Sequence, residues 1–272
     1  MNTIPTNPAT RRGLLIVNAD DWGRDTETTD SMLECLSEHA ISSVSAMVFM
    51  EDSARAAEIA LMRGIDAGLH LNFTTPFSAS RVPNALLEHH RRISAYLRSW
   101  RLAQVFFHPG LVSSFEYVVR AQCEEYARLY RSAPRRLDGH HHMHLCANVT
   151  RKQLLPTGTL IRRNFSFIAG EKTFANRLYR RHLDNKLARR HTLTDFLFSL
   201  PPMEPVVRID RIIALARQHT IELETHPVKA AERQFLLTTV PGWIQDNVPI
   251  ASRYELTGER RPHSHQSLPQ FP

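Results

Sequence analysis

The chain has 272 residues, 34 Lys and Arg against 27 Asp and Glu, a formal net charge of +7 and 42% hydrophobic content. That content supports a sizeable core, and the length suits one α/β barrel. Three widely separated cysteines, Cys35, Cys123 and Cys146, with no Cys-x-x-Cys pair, exclude a zinc ribbon and a disulfide framework. No apolar run is long enough to span a bilayer, and the polar N-terminus lacks a signal-like apolar core, so the expectation is a cytoplasmic protein.

In chain order, Gly13 to Asp20 reads as a first strand, apolar on both faces as a strand covered on both sides should be. Thr26 to His39 follows as a helix with Met32, Leu33 and Leu36 on one side and Cys35 as a small buried hydrophobe. Ile41 to Phe49 is strand two, Ser53 to Arg63 an Ala-rich helix ended by Gly64, and Ile65 to Phe73 strand three. This strand-helix alternation implies parallel pairing by right-handed crossovers. Residues 74 to 110 break the rhythm and read as a long insertion after strand three, with some helix of its own, of the kind that shapes a cleft. Ser113 to Ser132 is an amphipathic helix, Arg136 to His142 strand four, Thr159 to Phe165 strand five, Phe196 to Leu200 strand six and Thr220 to Thr225 strand seven. Helices fill Thr173 to Arg190 and Pro205 to Gln218. The fold class is therefore α/β: a single irregular (β/α) barrel of about seven parallel strands, spanning residues 11 to 258, with flexible tails at 1–10 and 259–272.

The chemistry sits where apolar runs end. Asp20-Asp21 closes strand one, His70 lies in strand three, His140-His141-His142-Met143-His144 closes strand four and His226-Pro227 follows strand seven. Ionisable residues at several strand ends mark the active face of a parallel barrel, and carboxylate with imidazole is a donor set for a divalent metal. Adjacent aspartates in a strand point to opposite sides, but at a strand-to-loop junction both can face one pocket, one binding a metal and the other acting as a base. Their alternative role is capping the helix at Thr26. Gly23 after Trp22 would permit a sharp turn. Strand alternation puts His140, His142 and His144 on one face and His141 on the other; one or two reach a metal, the rest an outer layer or the substrate cleft. Asp138 can orient a ligating imidazole. His226 reads either as a loop histidine or as the acid that protonates a leaving amine. Arg162, charged within a short apolar strand, needs a carboxylate partner, Asp20 or Asp138. The basic cluster Arg177, Arg180, Arg181, Lys186, Arg189 and Arg190 reads either as a solvated helix face or as a surface for an anionic partner, such as a phosphorylated or lipid-linked substrate. No nucleic-acid-binding motif accompanies it.

Taken together, Asn18-Ala19-Asp20-Asp21-Trp22-Gly23, Gly68-Leu69-His70-Leu71, Leu137-Asp138-Gly139-His140-His141-His142-Met143-His144 and Glu224-Thr225-His226-Pro227 resemble, in order and rough spacing, the YdjC-like carbohydrate deacetylases, a family that includes chitooligosaccharide deacetylases and hopanoid-associated relatives. The resemblance runs from about Gly13 to Pro227. It implies an irregular (β/α) barrel and one divalent metal, Mg²⁺ or Zn²⁺, held by Asp21, His70 and His140. It further implies Asp20 as base, His226 as acid and Arg162 on the fifth strand; Trp22, His142 and His144 are the candidates for the substrate side. The implied activity is hydrolytic removal of an N-acetyl group from an amino sugar or a glycan or glycolipid containing one. A catalytically silent sugar-binding barrel and a metal-dependent phosphoesterase are the alternatives; no Gly-rich phosphate loop supports the latter. The implied partner is the N-acetylated sugar, with no nucleic acid and no integral membrane segment; a homodimer is compatible. The chain departs from the family pattern at Trp22, where Phe or Leu is usual, at Glu224-Thr225, where an apolar-Cys pair is common, and at Val228, where Gly often follows His-Pro. These departures, with Asp66, Asn72 and the insertion, point to a sugar other than chitobiose.

Overall fold

The computed structural model describes residues 13–167 and 172–254. The tails expected at 1–10 and 259–272 lie outside the described residues. Seven strands, β1 (Leu14–Trp22), β2 (Ser43–Ala46), β3 (Ala67–Leu71), β4 (Arg136–Gly139), β5 (Leu160–Ile161), β6 (Phe196–Ser199) and β7 (Thr220–Thr225), form one parallel sheet in the order β5-β4-β3-β2-β1-β7-β6. The sheet curls into a half-barrel, as its sequence pattern predicts. Its edges, β5 and β6, share no ladder. Instead, single backbone bonds bridge the gap: Ile161 N–H donates to Thr192 O at 3.0 Å, Thr192 N–H to Thr159 O at 3.2 Å, and Ser166 N–H to Leu197 O at 2.8 Å. This irregular closure explains why strand five is shorter than the Thr159–Phe165 expected.

The helices are α1 (Thr26–Ser37), α2 (Ser53–Arg63), α3 (Asn84–Ser99), α4 (Val112–Tyr130), α5 (Ala147–Lys152), α6 (Phe174–Ala188), α7 (Val206–Ala216) and α8 (Ala230–Gln245). The insertion after β3 contributes α3 and two single 3₁₀ turns at Ala103–Val105 and Pro109–Leu111. Helix α8 was not legible in the sequence: it contains Thr238, Thr239, Pro241 and Gly242, all poor helix formers, and it is held by burial of Leu236, Val240 and Trp243. No described helix is long and apolar enough to cross a membrane.

Strand alternation divides the sheet into two environments. Leu15, Val17 and Ala19 of β1, Val44 and Ala46 of β2, Leu69 and Leu71 of β3, Leu137 of β4 and Leu223 of β7 face the helices and join the main apolar core. The intervening residues face inward. Low in the barrel, Ile16, Ala251 and Tyr254 form a small separate apolar cluster. The segment after α8 crosses there, with Leu15 N–H donating to Pro249 O at 2.7 Å and Ala251 N–H to Leu15 O at 2.8 Å. Above that plug the interior is ionic.

Candidate active site

The two aspartates owe their joint aim to a break in β1. The register with β2 shifts between Asp20 and Trp22, and Asp21 sits at φ 77°, a strained region for a residue with a Cβ. The bulge returns Asp21 to the side Asp20 already faces. Gly23 follows at φ 82°, and a Cβ there would meet the Ser53 backbone at 3.1 Å and Ala56 at 3.2 Å. The capping role falls to Asp25, whose side chain accepts from Thr28 N–H at 2.8 Å, so Asp20 and Asp21 are not consumed as caps.

Asp21, His70 and His140 converge: their candidate donor atoms lie within 4.8 Å of one another. Asp21 Oδ1 is 2.8 Å from His140 Nδ1 and 3.3 Å from His70 Nε2. His70 is held from behind, its Nδ1 2.8 Å from Asp138 Oδ1, which fixes the ring and turns Nε2 toward Asp21. Arg24 donates to the other oxygen of Asp21 at 3.0 Å. Burial raises the Asp21 carboxyl, but the bonds to His140 and His70 outweigh it and hold it well below the usual carboxylate range. Burial lowers His70, yet the charges of Asp20 and Asp138 carry it up to about 10. A buried imidazole pulled that far toward its cationic form reports a strongly negative local field, which suits a cation.

Among the described residues, two other carboxylate–histidine groupings occur, Asp20 with His70 and Asp138, and Asp20 with Glu224 and His226. In both, the Arg162 guanidinium already neutralises the carboxylates. It grips Asp20 with two bonds, of 2.6 and 2.7 Å, and reaches Glu222 at 2.7 Å, Asp138 at 3.1 Å and Glu224 at 3.2 Å. Oδ1 of Asp21 faces imidazoles rather than a guanidinium, so its grouping best fits a divalent ion. Arg162 is 1% exposed; neighbouring carboxylates hold it well above its ordinary range despite burial. The partner expected from sequence was Asp20 or Asp138; the structure gives both.

Strand alternation fails in the histidine run. β4 ends at Gly139, and His140–Leu145 form a 3₁₀ segment interrupted by left-handed backbone at His141 (φ 54°) and His142 (φ 57°). The period of two is lost, and the rings fan out. His140 meets Asp21, and His141 Nδ1 lies 3.0 Å from Thr74 Oγ1. His142 Nε2 lies 3.1 Å from Glu224 Oε2, and His144 Nε2 donates to Arg162 O at 2.9 Å. His142 is about a quarter exposed and can face a substrate. His144 and Trp22, expected beside the substrate, are fully buried. His144 braces the backbone under Arg162, and Trp22 donates its indole N–H to Ala56 O at 3.2 Å within the core. Neither ring presents accessible surface. His226 remains partly exposed, its ring 3.9 Å from Glu232, with one donor atom within 4.8 Å of both Asp20 and Glu224.

Sequence reasoning missed Arg136, Glu222 and the ionic role of Glu224. Arg136 donates to Ser45 Oγ at 3.0 Å, Val44 O at 2.7 Å and Asp138 at 3.3 Å, and stacks on Tyr254 at 4.4 Å. Gly68 makes room for it: a Cβ there would lie 2.6 Å from the guanidinium carbon. The signal was available, since Arg136 and Asp138, like Glu222 and Glu224, are two apart in strands whose intervening Leu137 and Leu223 point to the core.

Set beside known proteins, the chain is 28% identical over 144 residues to a chitooligosaccharide deacetylase of Proteus mirabilis, covering 53% of each chain. It is 30% identical over 135 residues to that of Serratia marcescens, 48% of this chain and 51% of the relative. It is 27% identical over 139 residues to a carbohydrate deacetylase of Danio rerio, 50% of this chain and 43% of the relative. The chain thus spans about half the length of the curated relatives it matches. A solved structure from Enterococcus faecalis, named for cellobiose-phosphate cleavage, shares the fold with a TM-score of 0.61 over 89% of this chain and 97% of that one, at 14% identity. The model of the YdjC-like proteins matches residues 14–263, and on that match the chain belongs to the YdjC-like protein family.

Proposed function

We propose that this protein is a metal-dependent carbohydrate N-deacetylase, hydrolysing the acetamido group of an amino sugar to acetate and the free amine. The observation that carries the reading is a convergence of two kinds of group. Asp21 Oδ1 stands between His140 and His70 at 2.8 and 3.3 Å, beside an Asp20 clamped by Arg162 at 2.6 and 2.7 Å. The deacetylase names of the relatives agree with it.

Asp21, His70 and His140 would hold one divalent ion. With two imidazoles among three donors, the set favours a borderline ion such as Zn²⁺ over Mg²⁺, which prefers oxygen. Such an ion, when bound, supplies Lewis acidity for an amide carbonyl and for water. Asp20 receives the proton of the attacking water. Arg162 donates to each Asp20 oxygen and Asn18 Nδ2 donates to Oδ1 at 2.9 Å, which fixes the carboxylate plane and leaves a lone pair on Oδ2 to act as a base. His226 protonates the departing amine, whose neutral form leaves only with a proton. Glu224, between His142 and Arg162, sets the wall between acid and base.

The test is acetate release from a panel of N-acetylated mono- and oligosaccharides, with metal content measured on the same samples. The expected result is release by metal-loaded protein, loss on chelation and recovery with Zn²⁺. His140→Ala should purify with less metal than wild type. Metal bound without release from any N-acetylated sugar would leave the silent sugar-binding barrel in its place.

A further inference from the structure

The cations of this chain are unevenly placed. Between residues 172 and 190 stand seven Lys and Arg against the single Asp184, a net +6 out of +7 for the whole chain. Most of that run is α6. Its buried side is Leu183, Asp184 and Leu187, and Asp184 is committed to Arg163 and Asn164. The outer side carries Phe174, 73% exposed, and Leu178, 54% exposed. At roughly 100° per residue these two lie about 40° apart, with Arg177 and Arg181 on one flank and His182 and Lys186 on the other. Among the described residues, no carboxylate pairs with Arg177, Arg181 or Lys186.

This surface adjoins the candidate site. His142, bonded to Glu224, packs edge-on against Phe165 at 4.4 Å; Phe165 neighbours Phe167 at 6.4 Å; and Phe167 lies beneath Arg180 of α6 at 5.0 Å and Lys172 at 5.2 Å. One continuous line of rings therefore joins the mouth of the barrel to α6.

We infer that the outer face of α6 docks on an anionic phospholipid surface, with Phe174 and Leu178 entering the headgroup boundary and Arg177, Arg181 and Lys186 meeting lipid phosphates. Solvent accounts for the cations but leaves the large apolar side chains at the centre of the stripe without a partner. A soluble polyanion would likewise satisfy the cations alone. An amphipathic helix with a basic rim satisfies both at a membrane interface. Docking there would hold the barrel mouth near the surface. The inference stands independently of the proposed deacetylation, because it concerns binding alone.

The test is co-sedimentation of the full chain with phosphatidylcholine vesicles, with and without phosphatidylglycerol. The expected result is binding only to vesicles containing phosphatidylglycerol, weakened by salt. Arg177→Gln/Arg181→Gln should lose roughly tenfold or more in partitioning. Phe174→Ser/Leu178→Ser should also weaken it, and circular dichroism should show both variants folded, since all four side chains are exposed. Absence of wild-type binding, or binding unchanged in both double variants, would overturn the inference. So would heparin binding of equal strength together with full vesicle binding by Phe174→Ser/Leu178→Ser, which would assign the face to soluble polyanions.

Discussion

The two faces of this sheet obey opposite rules. Outward, Leu15, Val17, Leu69, Leu137 and Leu223 meet helices in an apolar core where shape and volume decide stability. Inward, one residue away in each strand, Asp20, His70, Arg136, Asp138, Glu222 and Glu224 are buried ions whose stability depends on who neutralises whom. The outer face tolerates a volume-conserving change. The inner face does not tolerate a lost partner, because a buried charge left alone costs more than the pair contributed. A single-residue step along the strand therefore exchanges one set of mutational costs for the other.

The largest contrast should come from Arg162. Arg162→Met removes the guanidinium facing Asp20, Asp138, Glu222 and Glu224. It should cost about 3–5 kcal/mol in denaturant unfolding, the usual penalty for stranding a buried charge, and abolish turnover. Leu137→Met, on the outer face of β4, should cost less than about 1.5 kcal/mol. Equal costs would collapse the distinction between the faces.

On the proposed mechanism, the inner face divides groups that would hold the ion from groups that would move protons. Asp20→Asn and His226→Ala should each retain metal yet lose roughly 10²–10⁴-fold in turnover, measured as acetate release beside elemental analysis. Near wild-type turnover in His226→Ala would transfer the acid role to His142, which lies against the same Glu224 at 3.1 Å. Loss of metal from Asp20→Asn would mean that the two aspartates share the ion.

A third contrast sets paired against unpaired ionisable groups. His90 of α3 is buried against Phe77, ring centroids 4.4 Å apart, and its Nε2 has no hydrogen-bond partner among the described residues. Burial pushes its pKa down to about 4. A base with a depressed folded pKa is neutral when folded but protonates when unfolded below about pH 6.5. Its stability contribution is therefore intact above that value and declines as pH falls toward about 4, by up to about 3 kcal/mol. His90→Phe should flatten that part of the stability–pH curve relative to wild type. Superimposable slopes would show that His90 finds a partner in solution.

The outer face was legible in the sequence because it repeats. Leu14 to Val17 and Ile65 to Phe73 announce buried strands, and all seven strands fall within or close to the segments read for them. The positions of Asp20, Asp21, His70 and His140 at strand ends were legible too. What stayed hidden depended on backbone that breaks the repeat. The left-handed turns at His141 and His142 scatter the histidines, and period-two reasoning cannot foresee them. The placement of Trp22 was hidden for a related reason: the bulge that turns Asp21 inward sends Trp22 to the core. The Arg162 hub was half legible, since its need for a carboxylate follows from sequence, whereas the number that satisfy it depends on β1, β4 and β7 meeting inside a curled sheet.

The smallest expected effect concerns Glu224. The carboxylate is buried, which raises its pKa, but His142 and then Arg162 outweigh burial and hold it below the ordinary range. Among the described residues, Glu224 pairs with His142 and Arg162 and not with Asp21, His70 or His140, so it should shape the site rather than hold the ion. Glu224→Gln keeps the shape and removes the charge. One charge-assisted hydrogen bond to His142 becomes a neutral one, a loss of about 1–1.5 kcal/mol, or roughly tenfold in kcat/KM. Metal content should not change. Because His142 is the partly exposed ring of the pair, the loss should fall on KM more than on kcat if the dyad orients the sugar. A loss confined to kcat would place the dyad in proton delivery alongside His226. Unaltered kinetics would mean that Arg162 alone fixes this wall and that the Glu224 carboxylate serves the ionic interior rather than the substrate.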